Sequence, residues 1–163
     1  YHRLMSEKTI LTWTDIKKDT DNIVSKIKAS EKDYDCILGI ANGGLVPTCI
    51  IAKALKIKHV LTVSLKSYVD EFAHDVQFIT SINWSDLKGR KRILVIDDLI
   101  DRGETIYEVE KILGYLKYRN KLTYDFDTAV LYLKKNDSYE PRVKPTYYSQ
   151  ITDPKSWLVF PWE

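Results

Sequence analysis

The sequence predicts an α/β fold: one domain, a parallel β-sheet flanked by helices, and a small C-terminal hood. Three observations predict it. Short apolar runs alternate with amphipathic stretches of helical period, as right-handed strand–helix–strand crossovers require. The strongest run, Arg92–Asp97 (RILVID), is continuously apolar, which marks a strand covered on both faces. And 163 residues, 44% of them hydrophobic, can bury one sizeable core.

The elements follow in order. Residues 14–30 place Ile16, Ile23, Val24 and Ile27 on one helical stripe, with Thr14 available as N-cap. Cys36–Ala41 (CILGIA) has the length and content of a buried strand. Asn42-Gly43-Gly44 breaks it, and a helix is predicted over 45–55 with Pro47 in its first turn. Residues 59–64 read as a second strand. A polar stretch, Lys66–Lys88, follows with no sustained period. Arg92–Asp97 is the third strand, a turn occupies 98–104, and a helix is predicted over 105–117. Residues 127–133 form a fourth strand. The hood, about 136–163, is rich in Pro and Tyr and ends in WLVFPWE. The core domain spans about 35–135. The first methionine is Met5, so Tyr1–Leu4 are expected to be an expression remnant and the domain to run over 5–163.

Bulk properties exclude several function classes. The formal net charge is +2, with acids and bases interspersed, so there is no electrostatic footprint for nucleic acid or a membrane surface. No apolar run approaches the roughly 20 residues of a membrane span, and the N-terminus lacks a secretory core. Cys36 and Cys49 lie in apolar stretches and are expected to be buried thiols, with neither a disulfide framework nor a zinc cluster. A soluble, cytoplasmic protein is expected.

The chemistry concentrates in ILVIDDLIDRGET. A buried strand ends in Asp97-Asp98, so two carboxylates emerge together at the carboxyl edge of the sheet, where open α/β folds bind ligands. Adjacent acids there need a hard divalent cation or sugar hydroxyls to compensate them. Asp101 follows, and then Arg102-Gly103-Glu104-Thr105 opens a helix. Its free N–H groups, a glycine and a hydroxyl make a phosphate cradle. Acids beside a phosphate cup suit a ligand carrying a phosphate, a diol and bound Mg²⁺.

This segment resembles the phosphoribosyl pyrophosphate (PRPP) motif of the type I phosphoribosyltransferases. The resemblance implies that Asp97 and Asp98 face the ribose hydroxyls and Mg²⁺ and act as the metal-holding pair. It implies that Arg102–Thr105 wrap the 5′-phosphate and that Asp101 is the catalytic acid–base group near the base. Leu38–Pro47 (LGIANGGLVP) is similar to the pyrophosphate loop of the xanthine-guanine branch, which assigns Asn42, Gly43 and Gly44 to pyrophosphate. Ser67-Tyr68 resembles the start of the family's flexible closing loop, whose closure would shield the reaction centre from water. Lys134, ending the fourth strand, resembles the lysine that contacts O6 of 6-oxopurines. DPKSWLVFPWE resembles the end of the xanthine-guanine enzymes, with Trp157 stacked on the purine and the backbone at Leu158 reading C2.

Three positions depart from the pattern: Asn42 stands where an Arg is usual, Arg102 for Thr or Ser, and Glu104 for Gly. The resemblance therefore implies transfer of a phosphoribosyl group from PRPP to guanine, xanthine or hypoxanthine, releasing pyrophosphate. A homodimer or homotetramer is expected. The competing readings are another base, a PRPP-sensing regulator and a degenerate homologue.

Overall fold

A computed structural model describes residues 7–69 and 74–163. Tyr1–Leu4 and Met5 lie outside them. The order is β1 (Lys8–Ile10), α1 (Trp13–Ala29), β2 (Cys36–Ala41), α2 (Leu45–Leu55), β3 (Val60–Val69) and β4 (His74–Phe78). Then come α3 (Trp84–Leu87), β5 (Arg92–Ile100), α4 (Glu104–Arg119), β6 (Asp125–Lys134), β7 (Tyr147–Thr152) and β8 (Trp157–Val159).

The main sheet runs β4-β3-β2-β5-β6-β7, parallel throughout except for β4 on the edge. The predicted α/β class holds. Alternation along β5 explains its continuous hydrophobicity: Leu94 and Ile96 pack with Ile16, Ile23 and Ile51 of α1 and α2 on one face. Ile93 and Val95 pack with Ile106, Val109 and Leu113 of α4 on the other. Every helix thus has a stripe to bury, and β5 is central and covered on both sides.

Five expectations need correction. α1 is capped by Thr12 rather than Thr14: Thr12 Oγ1 accepts from Asp15 N while Asp15 Oδ2 accepts from Thr12 N, a reciprocal capping box. The described part of the Lys66–Lys88 stretch is not all loop: it holds the end of β3, then β4 and α3. Lys66–Val69 extends β3, which pairs antiparallel with β4, so Ser67 and Tyr68 are strand residues opposite Val76 and Asp75. β5 does not stop at Asp97 but carries both acids within it to Ile100. Residues 147–152 are no part of a separate hood; they form the sixth strand of the main sheet, parallel to β6. Cys49 is exposed, whereas Cys36 is buried as expected, and burial pushes that thiol up to about 12.

What remains of the hood is the 136–146 loop and the two-stranded parallel sheet of β1 with β8. Trp162 closes this end, stacked on Phe160 with centroids 4.9 Å apart and tilted against Trp13. Buried Asp19 ties α1 to the sheet by accepting from Tyr132 (2.7 Å) and Ser149 (2.7 Å). Among the described residues, no helix is long and apolar enough to cross a membrane.

Candidate active site

Five parallel strands deliver their carboxyl ends to one side, and the chemistry gathers there. The β5–α4 junction walls a cavity of about 380 Å³, lined by Ser67 and by every residue from Asp97 to Ile106. Predicted residues Asp97, Asp98, Asp101, Arg102, Gly103, Glu104 and Thr105 therefore share one enclosure, and Ser67 of the hairpin faces them. The side chain of Tyr68 lies outside the described atoms.

Asp97 is only 8% exposed, and its Oδ1 accepts from the Asp98 amide at 2.8 Å. Burial first, then the Asp98 charge, raises its proton affinity well above the usual carboxylate range. Asp98 is raised as well, by burial above all and further by the charge of Glu163. The pair is thus short of positive charge. Glu163 is a site neighbour that pattern reading passed over, because it lies 65 positions along the chain and reaches Asp98 only through the turn its amide closes onto Phe160 O.

The cup follows directly. Gly103 adopts φ +83° and caps α4, with no side chain satisfying the helix's first amides. The first intrahelical bond runs from Tyr107 N to Gly103 O at 2.9 Å. The amides ahead of it are left for an anion, favoured further by the helix dipole. Asn42, Gly43 and Gly44 lie outside the cavity lining but press on it: a Cβ built on Gly43 would stand 2.2 Å from Asp98 Oδ2. The Asn42 side chain is exposed, and α2 begins at Gly44 without a side-chain cap. A second helix N-terminus therefore abuts the acid pair.

Lys134 ends β6, is 9% exposed, and points its Nζ to Asp101 Oδ2 at 3.4 Å. Its strand partner is Thr152, whose Oγ1 shares a 2.7 Å hydrogen bond with Ser156. Trp157 comes next and is 57% exposed. It does not line the cavity. Leu158 is buried in the core by its side chain. Trp157 N donates to Glu7 O and Leu11 N to Val159 O, so by strand alternation the Leu158 amide and carbonyl face away from β1. That backbone edge is open to a ligand.

Two residues that pattern reading missed hold the backbone of this wall. Tyr139 donates from its hydroxyl to Asp101 O at 2.9 Å, and Arg142 N donates to Arg102 O at 2.8 Å. The turn-forming run Asn136-Asp137-Ser138 was the available signal that the chain folds back after β6.

The family model of the phosphoribosyl transferase domain matches residues 6–163. The chain belongs to the phosphoribosyltransferase family. Within it, a xanthine-guanine phosphoribosyltransferase of Cereibacter sphaeroides is 28% identical over 165 residues, covering 99% of this chain and 90% of that protein. The structure of a purine phosphoribosyltransferase from Pyrococcus horikoshii superposes with a TM-score of 0.78 at 27% identity, over 96% of this chain and 93% of that one. The Helicobacter pylori xanthine-guanine-hypoxanthine phosphoribosyltransferase matches in fold, with a TM-score of 0.77 at 19% identity over 96% and 94% of the two chains.

Proposed function

We propose that this phosphoribosyltransferase moves the 5-phosphoribosyl group of PRPP to a 6-oxopurine, giving the nucleoside 5′-monophosphate and pyrophosphate. The observation that carries this reading is the unbroken Asp97–Thr105 wall, where an acid pair short of positive charge meets an uncapped helix N-terminus in one cavity. A ligand with a phosphate at one end and a diol at the other spans such a wall. The names of the Cereibacter and Pyrococcus relatives support a purine acceptor.

The residue roles follow. The α4 amides with Arg102, Gly103 and Thr105 hold the 5′-phosphate, the guanidinium adding a charged donor. Asp97 and Asp98 face the ribose hydroxyls. The Asn42–Gly44 amides hold the pyrophosphate as the bond from C1 breaks and the purine nitrogen takes its place. Asp101 takes up the purine proton, and Lys134, held against it, donates to the 6-oxo group. Trp157 stacks on the base and the backbone at Leu158 reads C2. The hairpin that carries Ser67 and Tyr68 shields the centre from water.

The same residues fit a magnesium ion. Asp97 and Asp98 are hard oxygen donors with charge to spare. Among the described residues, no cluster of three or more His, Cys, Asp or Glu forms a cage of its own. The remaining ligands would come from the polyphosphate and water, the usual habit of Mg²⁺. Bound Mg²⁺ supplies neutralisation of the charge developing on the pyrophosphate. A homodimer or homotetramer in the cytoplasm is part of this proposal.

The assay is direct. Incubation with PRPP, Mg²⁺ and each of guanine, xanthine, hypoxanthine and adenine is expected to release pyrophosphate with at least one 6-oxopurine and least with adenine. Release with no base overturns the enzyme reading. PRPP binding without turnover would then favour the degenerate or regulatory reading, which the exposed, uncharged Asn42 side chain supports.

Two variants test the roles. Glu104→Gln removes a negative charge from the rim of the phosphate cup and is expected to tighten PRPP binding about three- to tenfold. It also removes a favourable charge from the first turn of α4, costing about 0.3–1 kcal/mol of stability. Calorimetric titration and a thermal melt check both signs; weaker binding would mean that this carboxylate helps the ligand. Trp157→Ala is expected to raise KM for the base by about tenfold or more, as loss of one base–aromatic stack should. KM for PRPP should stay unchanged; an equal rise in both would place Trp157 in the fold rather than at the base.

A further inference from the structure

We propose that Tyr139 is a positioning residue that fastens the Asp101–Gly103 turn to the hood, fixing Asp101 and the α4 amides in one geometry. This rests on reading Asp101–Thr105 as the donor-binding loop. The turn has few anchors of its own: Asp101 and Arg102 are exposed, and α4 has no side-chain N-cap. Its backbone carbonyls are instead held from outside. Tyr139 Oη donates to Asp101 O at 2.9 Å, and one strand-like step further Arg142 N donates to Arg102 O at 2.8 Å.

The donor side of this latch is itself built. Asn136 Oδ1 accepts from Ser138 N at 2.9 Å and from Ser138 Oγ at 3.1 Å, an Asx turn. Asn136 and Tyr139 then pair backbone to backbone, at 3.1 Å and 3.3 Å. So β6 delivers Lys134, turns within four residues, and brings Tyr139 back over Asp101. The Arg142 guanidinium lies 3.5 Å from the centroid of Tyr107 in α4, which closes the latch onto the helix behind the cup. Val143 fills the space that only glycine leaves at position 103, where a Cβ would stand 2.9 Å from Val143 Cγ2.

The latch also touches the chemistry. Asp101 Oδ2 faces Lys134 Nζ at 3.4 Å, while Oδ1 lies 3.5 Å from Tyr139 Oη. That second contact is long, so the carbonyl bond carries the positioning and the hydroxyl adds a weak polar neighbour to the carboxylate. Tyr139 holds its proton more tightly than a free tyrosine, through burial first and then the Asp101 charge. Arg102 and Glu104 are the other charged groups it feels. The hydroxyl therefore remains a donor across the working pH range.

Tyr139→Phe keeps the ring and deletes the donor; Asn136→Ala loosens the turn that presents it. Both are tested on the full chain against the wild type, with PRPP, Mg²⁺ and the preferred base. The expected result is a KM for PRPP raised about tenfold, a smaller fall in kcat, and an acid limb of the pH profile moved to higher pH. Amide hydrogen exchange at Gly103–Thr105 should quicken in both variants while the melting temperature shifts little. Unchanged KM, pH profile and exchange in an active enzyme would overturn the latch and leave the transferase reading intact. Quickened exchange in a protein inactive with every base would sustain the latch and overturn the transferase reading. Activity that falls only in step with melting temperature would reduce Tyr139 to packing and overturn the proposal.

Discussion

Replacing Asp98 with asparagine is expected to weaken magnesium-dependent PRPP binding by about a hundredfold or more, while making the folded chain more stable. The two signs have one cause. Asp98 sits beside buried Asp97; burial above all, and then the charge of Glu163, push against its ionised form, and its own charge in turn pushes against that of Asp97. With cation and substrate bound, that excess charge is compensated, which is why the pair binds; without them it is a cost. Asparagine keeps the shape, loses the charge, and so removes a ligand and a penalty together. Losses of this size are usual for groups that hold a metal or face developing charge.

The stability gain should be about 0.5–2 kcal/mol at neutral pH, the common yield when a strained functional site is relaxed. Because the folded chain holds the Asp97 and Asp98 protons more tightly than the unfolded chain does, wild-type stability falls as pH rises through their folded range. The melting-temperature gap between variant and wild type should therefore close on acidification. Adding Mg²⁺ and PRPP should raise the wild-type melting temperature and leave that of the variant where it is. Unchanged PRPP affinity in Asp98→Asn, or a variant that melts lower at neutral pH, would show that this carboxylate is structural.

That wall was legible in the sequence because its parts are contiguous. A nine-residue strand, two acids and a helix start lie on one stretch, and continuous hydrophobicity identifies a central strand without any knowledge of its partners. Elements whose meaning depends on distant residues were not legible. Tyr147–Thr152 is half polar and edge-placed; it is a strand by pairing with β6, and Tyr147 also reaches Tyr34 (2.9 Å) and Ser30 (3.0 Å) across the fold. In β3 the adjacent Lys66 and Ser67 are both exposed, which breaks its alternation, and β4 alternates over only four described side chains, Asp75 to Phe78.

Cys49 shows a different limit. α2 is apolar nearly all round, so periodicity could not say that Pro47, Thr48, Ile51 and Ala52 face inward while Cys49 faces out. At α1 the cap falls on Thr12 rather than Thr14 because Asp15, three residues after Thr12, closes the capping box. Tyr139 belongs with these cases. Nothing in its neighbourhood of the chain shows that its partner is the carbonyl of Asp101, 38 residues before it.

Alanine at the two adjacent glycines of the β2–α2 loop should separate folding from binding. At Gly44 an added Cβ would lie 2.6 Å from the carbonyl oxygens of both Ile40 and Ile96, with the Asp97 Cα at 3.1 Å. All three are backbone atoms of β2 and β5, the central pair of the sheet, and neither strand can move without breaking its ladder. Gly44→Ala should therefore cost about 2–3 kcal/mol or more, read as a lower melting temperature or an insoluble product. At Gly43 the three atoms nearest the added Cβ all belong to the Asp98 carboxylate, with Oδ2 at 2.2 Å and Oδ1 at 2.8 Å. A side chain can swing away where a backbone cannot, so Gly43→Ala should fold with a loss of about 1 kcal/mol at most. The swing carries Asp98 out of the position from which it faces the ligand. PRPP affinity should then fall about as far as in Asp98→Asn, with no charge removed. Calorimetric binding alongside a melt distinguishes the two glycines. A Gly43→Ala protein with normal affinity would mean that Asp98 binds from a different side-chain orientation, and that the close approach of this loop serves packing alone.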